Sequence, residues 1–173
     1  MIVSLIAPQL AYAAPEQIQV EGETLLQAGQ AKREELTFDL YRVSLYLPSR
    51  DASMQRITQE SVPKAFHVEV LYDGSVPGGI PEDWSEELMP TLPEEKEQKL
   101  RQIYQSLGQG DELRIAYAPG AATSVKLNGE TVFTDPGYEL MAGTVDIFLG
   151  PDPVAENVRQ GLLGRAEDDG WLF

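Results

Sequence analysis

The chain has 173 residues, a length that ordinarily makes one domain with a real core and room for a cavity. It carries 28 acidic against 13 basic side chains, a formal net charge of −15, which argues against nucleic acid or an anionic membrane surface as partner because both require a basic face. It has no cysteine, which excludes a disulfide framework and any cysteine-ligated metal.

The first sixteen residues read MIVSLIAPQLAYAAPE. An apolar run from Ile2 to Leu10 precedes Ala11-Tyr12-Ala13, the pattern of a signal-peptide core with an A-x-A-like cleavage site. The positively charged segment that usually opens such a leader is absent, as expected if the true start lies upstream. The run is far shorter than the ~20 residues of a membrane-spanning helix. Residues 1–13 are therefore expected to direct export to the periplasm or another compartment outside the cytoplasm. Residues 14–173 are expected to form a single domain.

Short strands are expected at 17–20 and 23–28, around Glu21-Gly22. A lone arginine, Arg33, precedes an alternating segment at 36–47, in which Leu36, Phe38 and Leu40 point one way and Thr37, Asp39 and Tyr41 the other. Pro48 to Asp51 ends it, a short helix is expected at 52–60, and Lys64 to Tyr72 alternates as a further strand. Asp73 to Pro81 is a glycine- and proline-rich loop long enough to cover a pocket. Asp83 to Met89 looks helical until Pro90 and Pro93 interrupt it.

A helix starting near Pro93 places Leu100, Ile103, Tyr104 and Leu107 on one stripe. Glu94, Glu95 and Glu97 sit in its first turn, where the helix dipole favours negative charge. Strands follow at Asp111 to Ala118, Thr123 to Leu127 and Glu130 to Thr134, the last two joined by Asn128-Gly129, a strong type I′ hairpin signal. Helices are expected from Tyr138 to Leu149 and from Val154 to Leu163, stopped by Gly150 and Gly164. Hairpin strands with a few helices define an α+β domain, an antiparallel sheet covered by helices on one face, with a cleft between the layers suited to apolar ligands.

Several landmarks resemble the chalcone isomerase-like family. The segment Gly29-Gln30-Ala31-Lys32-Arg33 resembles that family's opening G-x-G-x-R, with Ala31 in place of the second glycine. Ala31 has a Cβ and resists positive φ, so a local departure from the family backbone is expected there. Gly110-Asp111, Tyr117-Ala118-Pro119-Gly120, Asn128-Gly129, Phe148-Leu149-Gly150-Pro151-Asp152-Pro153-Val154 and Leu162-Leu163-Gly164 follow in the family's order. The resemblance covers Leu25 to Gly164 and implies the chalcone isomerase fold.

In the plant enzyme of this family an Arg supports the substrate oxyanion, helped by a Thr, a Tyr and an Asn. Arg33 matches the Arg, but the strand Thr position holds Tyr41, the helix Tyr position holds Trp84, the Asn position holds Thr91, and the polar position before the Leu-Gly run holds Ile147. Loss of preorganised donors weakens transition-state stabilisation, so chalcone isomerase activity is not expected. In the fatty-acid-binding branch an Arg at this place pairs with a ligand carboxylate. The favoured expectation is accordingly a non-catalytic exported protein binding a small amphipathic anion, such as a fatty acid or other acidic lipid. Arg33 would anchor the anion, Tyr41 would add a hydroxyl, and Trp84, Thr91 and Ile147 would belong to the ligand-binding set.

Two alternatives stand beside it: an isomerase- or lyase-type enzyme using Arg33 and Tyr41, and an envelope protein acting through a protein partner. His67 is the sole histidine and is read as structural, since it lacks companions for a zinc site or a Ser-His-Asp arrangement. Glu82-Asp83, Glu86-Glu87 and Glu94-Glu95 lack calcium-loop spacing and read as solvated faces. With no phosphate-cradling glycine motif either, no cofactor is expected.

Overall fold

The computed structural model describes residues 14–73 and 93–165. Seven strands form one antiparallel sheet in strict chain order: β1 (Gln17–Val20), β2 (Glu23–Glu35), β3 (Phe38–Leu47), β4 (Lys64–Val70), β5 (Glu112–Tyr117), β6 (Ala122–Leu127) and β7 (Glu130–Pro136). Among the described residues the helices are α1 (Met54–Ile57), α2 (Glu94–Gln105), α3 (Glu139–Leu149) and α4 (Glu156–Leu162). The expected signal segment, the helix Asp83 to Met89 and nearly all of the Asp73 to Pro81 loop lie outside the described residues.

Alternation assigns the two faces of the sheet. Tyr41, Val43, Leu45 and Leu47 on β3 share a face with Phe66 and Val68 on β4 and with Leu113 and Ile115 on β5. This face carries the main core, closed by Leu100 and Tyr104 of α2, the apolar side of α3 and Val158 and Leu162 of α4. The opposite face has a smaller apolar cluster in which Ile18, Val20 and Leu25 of the β1–β2 hairpin gather with Tyr46, Ala65, Ala116 and Ala118. The Tyr46 hydroxyl donates to the Pro15 carbonyl at 2.7 Å and ties the chain leading into β1 to β3. The α+β architecture with helices on one face of a large antiparallel sheet is the one expected.

The first strands differ from the sequence reading. The strand expected at 23–28 continues to Glu35, and the segment expected as one strand from 36 begins with a turn, Leu36-Thr37, that joins β2 to β3. Leu36 adopts a positive φ of 56° and is 94% exposed, and Phe38 is half-exposed. The buried side chains of β3 in the main core are Tyr41, Val43, Leu45 and Leu47, while Leu40 packs against that core only in part. The helix expected at 52–60 shrinks to a single turn.

Gly29 explains how α4 meets the sheet. A Cβ there would overlap the backbone of Gly161 and Leu162, so the helix lies against β2 at backbone distance. Gly161 reciprocates: a Cβ on it would come within 2.7 Å of the Ala31 Cβ. Neither Gly29 nor Ala31 has positive φ. The glycine in this motif supplies room rather than conformational freedom, and Ala31 fits an ordinary strand because Gly161 makes space for its methyl. The backbone departure expected at Ala31 has no cause.

Candidate functional site

Arg33 lies within β2, not ahead of a strand, and its register partner on β3 is Tyr41. Directly opposed residues of an antiparallel pair put their side chains on the same face, so both belong to the helix-covered side. Immediately after Arg33 the register shifts, the mark of a bulge that re-aims side chains at the end of a ladder. Arg33 is partly exposed, and one guanidinium nitrogen donates to the Glu34 carbonyl at 2.8 Å. Tyr41 is buried, its ring edge-on to Phe148 at 6.4 Å, and Phe148 stacks on Phe66 at 5.3 Å. Arg33, Tyr41, Tyr104 and Phe148 each make at least one further polar or ring interaction. The pair thus marks the rim of the core, with a charged fork at the edge and an aromatic wall behind it.

Ile147 stands on α3 in the same core cluster and is 3% exposed. Where the plant enzymes carry a polar group, this chain has a buried aliphatic one, worth roughly 1.5–3 kcal/mol in burial and unable to donate a hydrogen bond. Trp84 and Thr91 lie outside the described residues. Of the expected set, then, the structure brings together Arg33 and Tyr41 across two strands and seats Ile147 elsewhere in the same core cluster as Tyr41.

Sequence reasoning missed two polar groups on this side of the sheet. Tyr104, read as part of an apolar stripe, is buried on α2, and burial raises the pKa of its hydroxyl. It stays a neutral donor at any ordinary pH. Lys64, the first residue of β4, is fully buried. Its ammonium donates to the Gln59 carbonyl at 2.7 Å and to the Tyr138 hydroxyl at 3.0 Å, and it lies 4.5 Å from the centre of the Tyr138 ring. Desolvation pulls its pKa down to about 8, with Glu60 pulling weakly the other way. The signal for Lys64 was present: alternation through KAFHVEV places it on the same face as Phe66 and Val68.

Among the described residues, no group of three or more His, Cys, Asp or Glu side chains is placed to hold a metal ion. No described helix is long and apolar enough to cross a membrane.

The fold and this rim define an α+β protein whose single meandering sheet is backed by helices, with an Arg–Tyr pair on the first long hairpin. The chain belongs to the chalcone isomerase-like family, whose sequence model matches residues 10–164. No curated protein matches it in sequence. Among solved structures it is similar to an Arabidopsis thaliana fatty-acid binding protein, with a TM-score of 0.66 at 14% identity, covering 94% of this chain and 96% of that one. At that identity the likeness is one of fold.

Proposed function

We propose that this protein is a non-catalytic carrier of a small amphipathic anion, such as a fatty acid, with Arg33 as the anion anchor. The observation that carries this reading is the direct pairing of Arg33 with Tyr41 at the rim of the apolar core. A guanidinium offers a planar fork that matches a carboxylate, and its strength grows as water is excluded. An acyl chain running inward gains about 0.8 kcal/mol per buried CH₂. Ile147 and Phe148 would supply apolar wall, and Trp84 and Thr91 the remaining lining. The fatty-acid binding protein of similar fold supports the ligand class, and the replacement of the plant enzymes' Thr, Tyr and Asn by Tyr41, Trp84 and Thr91 supports a binding role over isomerisation.

The apolar N-terminal run supports work outside the cytoplasm. A protein partner is the second reading, favoured by the exposed Leu36 and Phe38 at the hairpin tip.

Native mass spectrometry of protein expressed with its N-terminal segment, beside the Arg33→Ala form, tests the carrier reading. A co-purifying acidic lipid that is lost in the variant is the expected result. An apo mass in both, with no rebinding of added fatty acid, refutes it.

A further inference from the structure

The face of the sheet turned away from the helices is not a plain solvent surface. Cross-strand register places Ser44, His67, Arg114, Lys126 and Thr131 in one row across five strands. Three of these carry nitrogen, and like charges placed directly opposite each other, as Arg114 and Lys126 are, destabilise a sheet unless something negative lies between them. The chain has an excess of acidic side chains, yet among the described residues no carboxylate is within ion-pair distance of Arg114 or Lys126. The acids of the adjoining row are otherwise placed. Glu69 pairs with Arg42 at 2.9 Å, and a Glu112 oxygen lies 4.0 Å from His67 Nε2.

Two further observations point to a missing partner. Arg114 Nε and His67 Nδ1 are buried without a hydrogen-bond partner, and His67 as a whole is only 6% exposed. Buried polar atoms of this kind call for an explanation, often an ion or water. Beside the cation row runs a groove of about 270 Å³. Its floor is built of small side chains (Ala116, Ala118, Ala122), its hydroxyls come from Ser124, Thr131 and Thr134, and Lys126 forms part of its wall. Val20 and Glu21, at the β1–β2 turn, complete its lining. A small-residue floor leaves space that a larger side chain would fill.

We propose that this groove is a second ligand site, for a small organic oxyanion such as a carboxylate or phosphate ester. Lys126 in the wall grips the charged head, and Arg114, its cross-strand neighbour just outside the lining, meets it from the adjoining row and gains the acceptor that its Nε lacks. The Ser124, Thr131 and Thr134 hydroxyls meet the polar part of the body, and Glu21 in the lining selects against a second negative charge. The site lies on the other face of the sheet from Arg33 and does not depend on the carrier reading.

The sole histidine provides the reporter. Full-length protein with labelled histidine is titrated with inorganic phosphate, glycerol phosphate and propionate, following the His67 imidazole resonances by NMR. Saturation with at least one probe is expected; the phosphate and carboxylate arms tell which head the site takes. Lys126→Gln and Arg114→Lys are each expected to weaken that probe about tenfold, the loss of a charge-assisted contact. Arg33→Ala should leave the titration unchanged. Lys126 is a partly exposed strand residue, so its variant should fold, and an unchanged melting curve checks this. Shifts that never saturate with any probe, or that saturate equally in the Lys126→Gln protein, overturn the site.

Discussion

Two cations face the helices from opposite ends of the sheet, and they live differently. Lys64 is fully buried, with its ammonium held by the Gln59 carbonyl, the Tyr138 hydroxyl and an aromatic ring. Arg33 sits at the rim, partly exposed, with a guanidinium nitrogen on the carbonyl of its own neighbour. A buried ammonium whose donors are taken by fixed partners is part of the architecture, and its removal exposes those partners' need. A guanidinium at the edge of an apolar layer is partly in water and is held through exposed, local partners. The difference teaches that burial alone does not mark a functional cation: the deepest cation of this sheet is explained entirely by its packing partners.

The comparison can be broken most sharply at Lys64. Truncation by Lys64→Ala leaves a cavity and removes the ammonium from the Gln59 carbonyl and the Tyr138 hydroxyl, and should lower unfolding free energy by about 3 kcal/mol in denaturant titrations. A loss below about 0.5 kcal/mol, the range of an ordinary surface change, would show that the ammonium is not part of the architecture at all.

The pH dependence sharpens the same point. The folded pKa of Lys64, about 8, lies below its ordinary 10.5, so the unfolded chain holds the extra proton between those values. This group's contribution to stability is therefore lost as pH falls through about 8 and grows as pH rises above it. Tyr138, pushed up to about 12 by burial, and Tyr104, pushed up by burial, act oppositely once unfolded tyrosines begin to ionise near pH 10. Stability should thus gain up to roughly 2 kcal/mol from Lys64 between about pH 8 and 10. Comparing wild type with Lys64→Met in that window isolates the term, and parallel curves would remove it.

Arg33→Ala should change stability by less than about 0.5 kcal/mol while weakening carboxylate-ligand binding at least about tenfold. A large stability loss with unchanged binding would make Arg33 the structural cation of the two. The smallest effect is expected at Leu36, which combines full exposure with positive φ. Asn tolerates that backbone better, so Leu36→Asn should raise the melting midpoint slightly, by the equivalent of about 0.5 kcal/mol, unless the apolar tip is docked on something in the folded protein.

Much of this architecture was legible in the residues. Alternation gave β4, β5 and β6, the Asn128-Gly129 turn with φ values of 51° and 85° is the hairpin its chemistry announces, and the stripes of α2 and α3 face the core. The β2–β3 hairpin was not legible, because Leu36-Thr37 contains none of the residues that usually supply a tight turn. With that turn hidden, residues 36–47 read as one strand and Arg33 as lying ahead of it, outside the sheet. The Arg33–Tyr41 pairing needed register, which neither segment encodes alone. The groove on the open face escaped notice for a related reason: His67, Arg114 and Lys126 are scattered along the chain and become neighbours only when β4, β5 and β6 align.

Every strand of the sheet pairs with its neighbour in sequence, so most of the sheet can grow by zipping short hairpins. The seam between Gly29 and Gly161 is different, for it joins the second strand to the last helix and cannot close until most of the chain has been placed. A contact of such sequence separation is expected to be weakly formed in the folding transition state. Enlarging Gly161 to Ala should accordingly leave the folding rate nearly unchanged and appear almost wholly as faster unfolding. The small residues of β2 are, in kinetic terms, the latch of the molecule: they contribute little to how quickly the sheet is made and much to how long it stays shut.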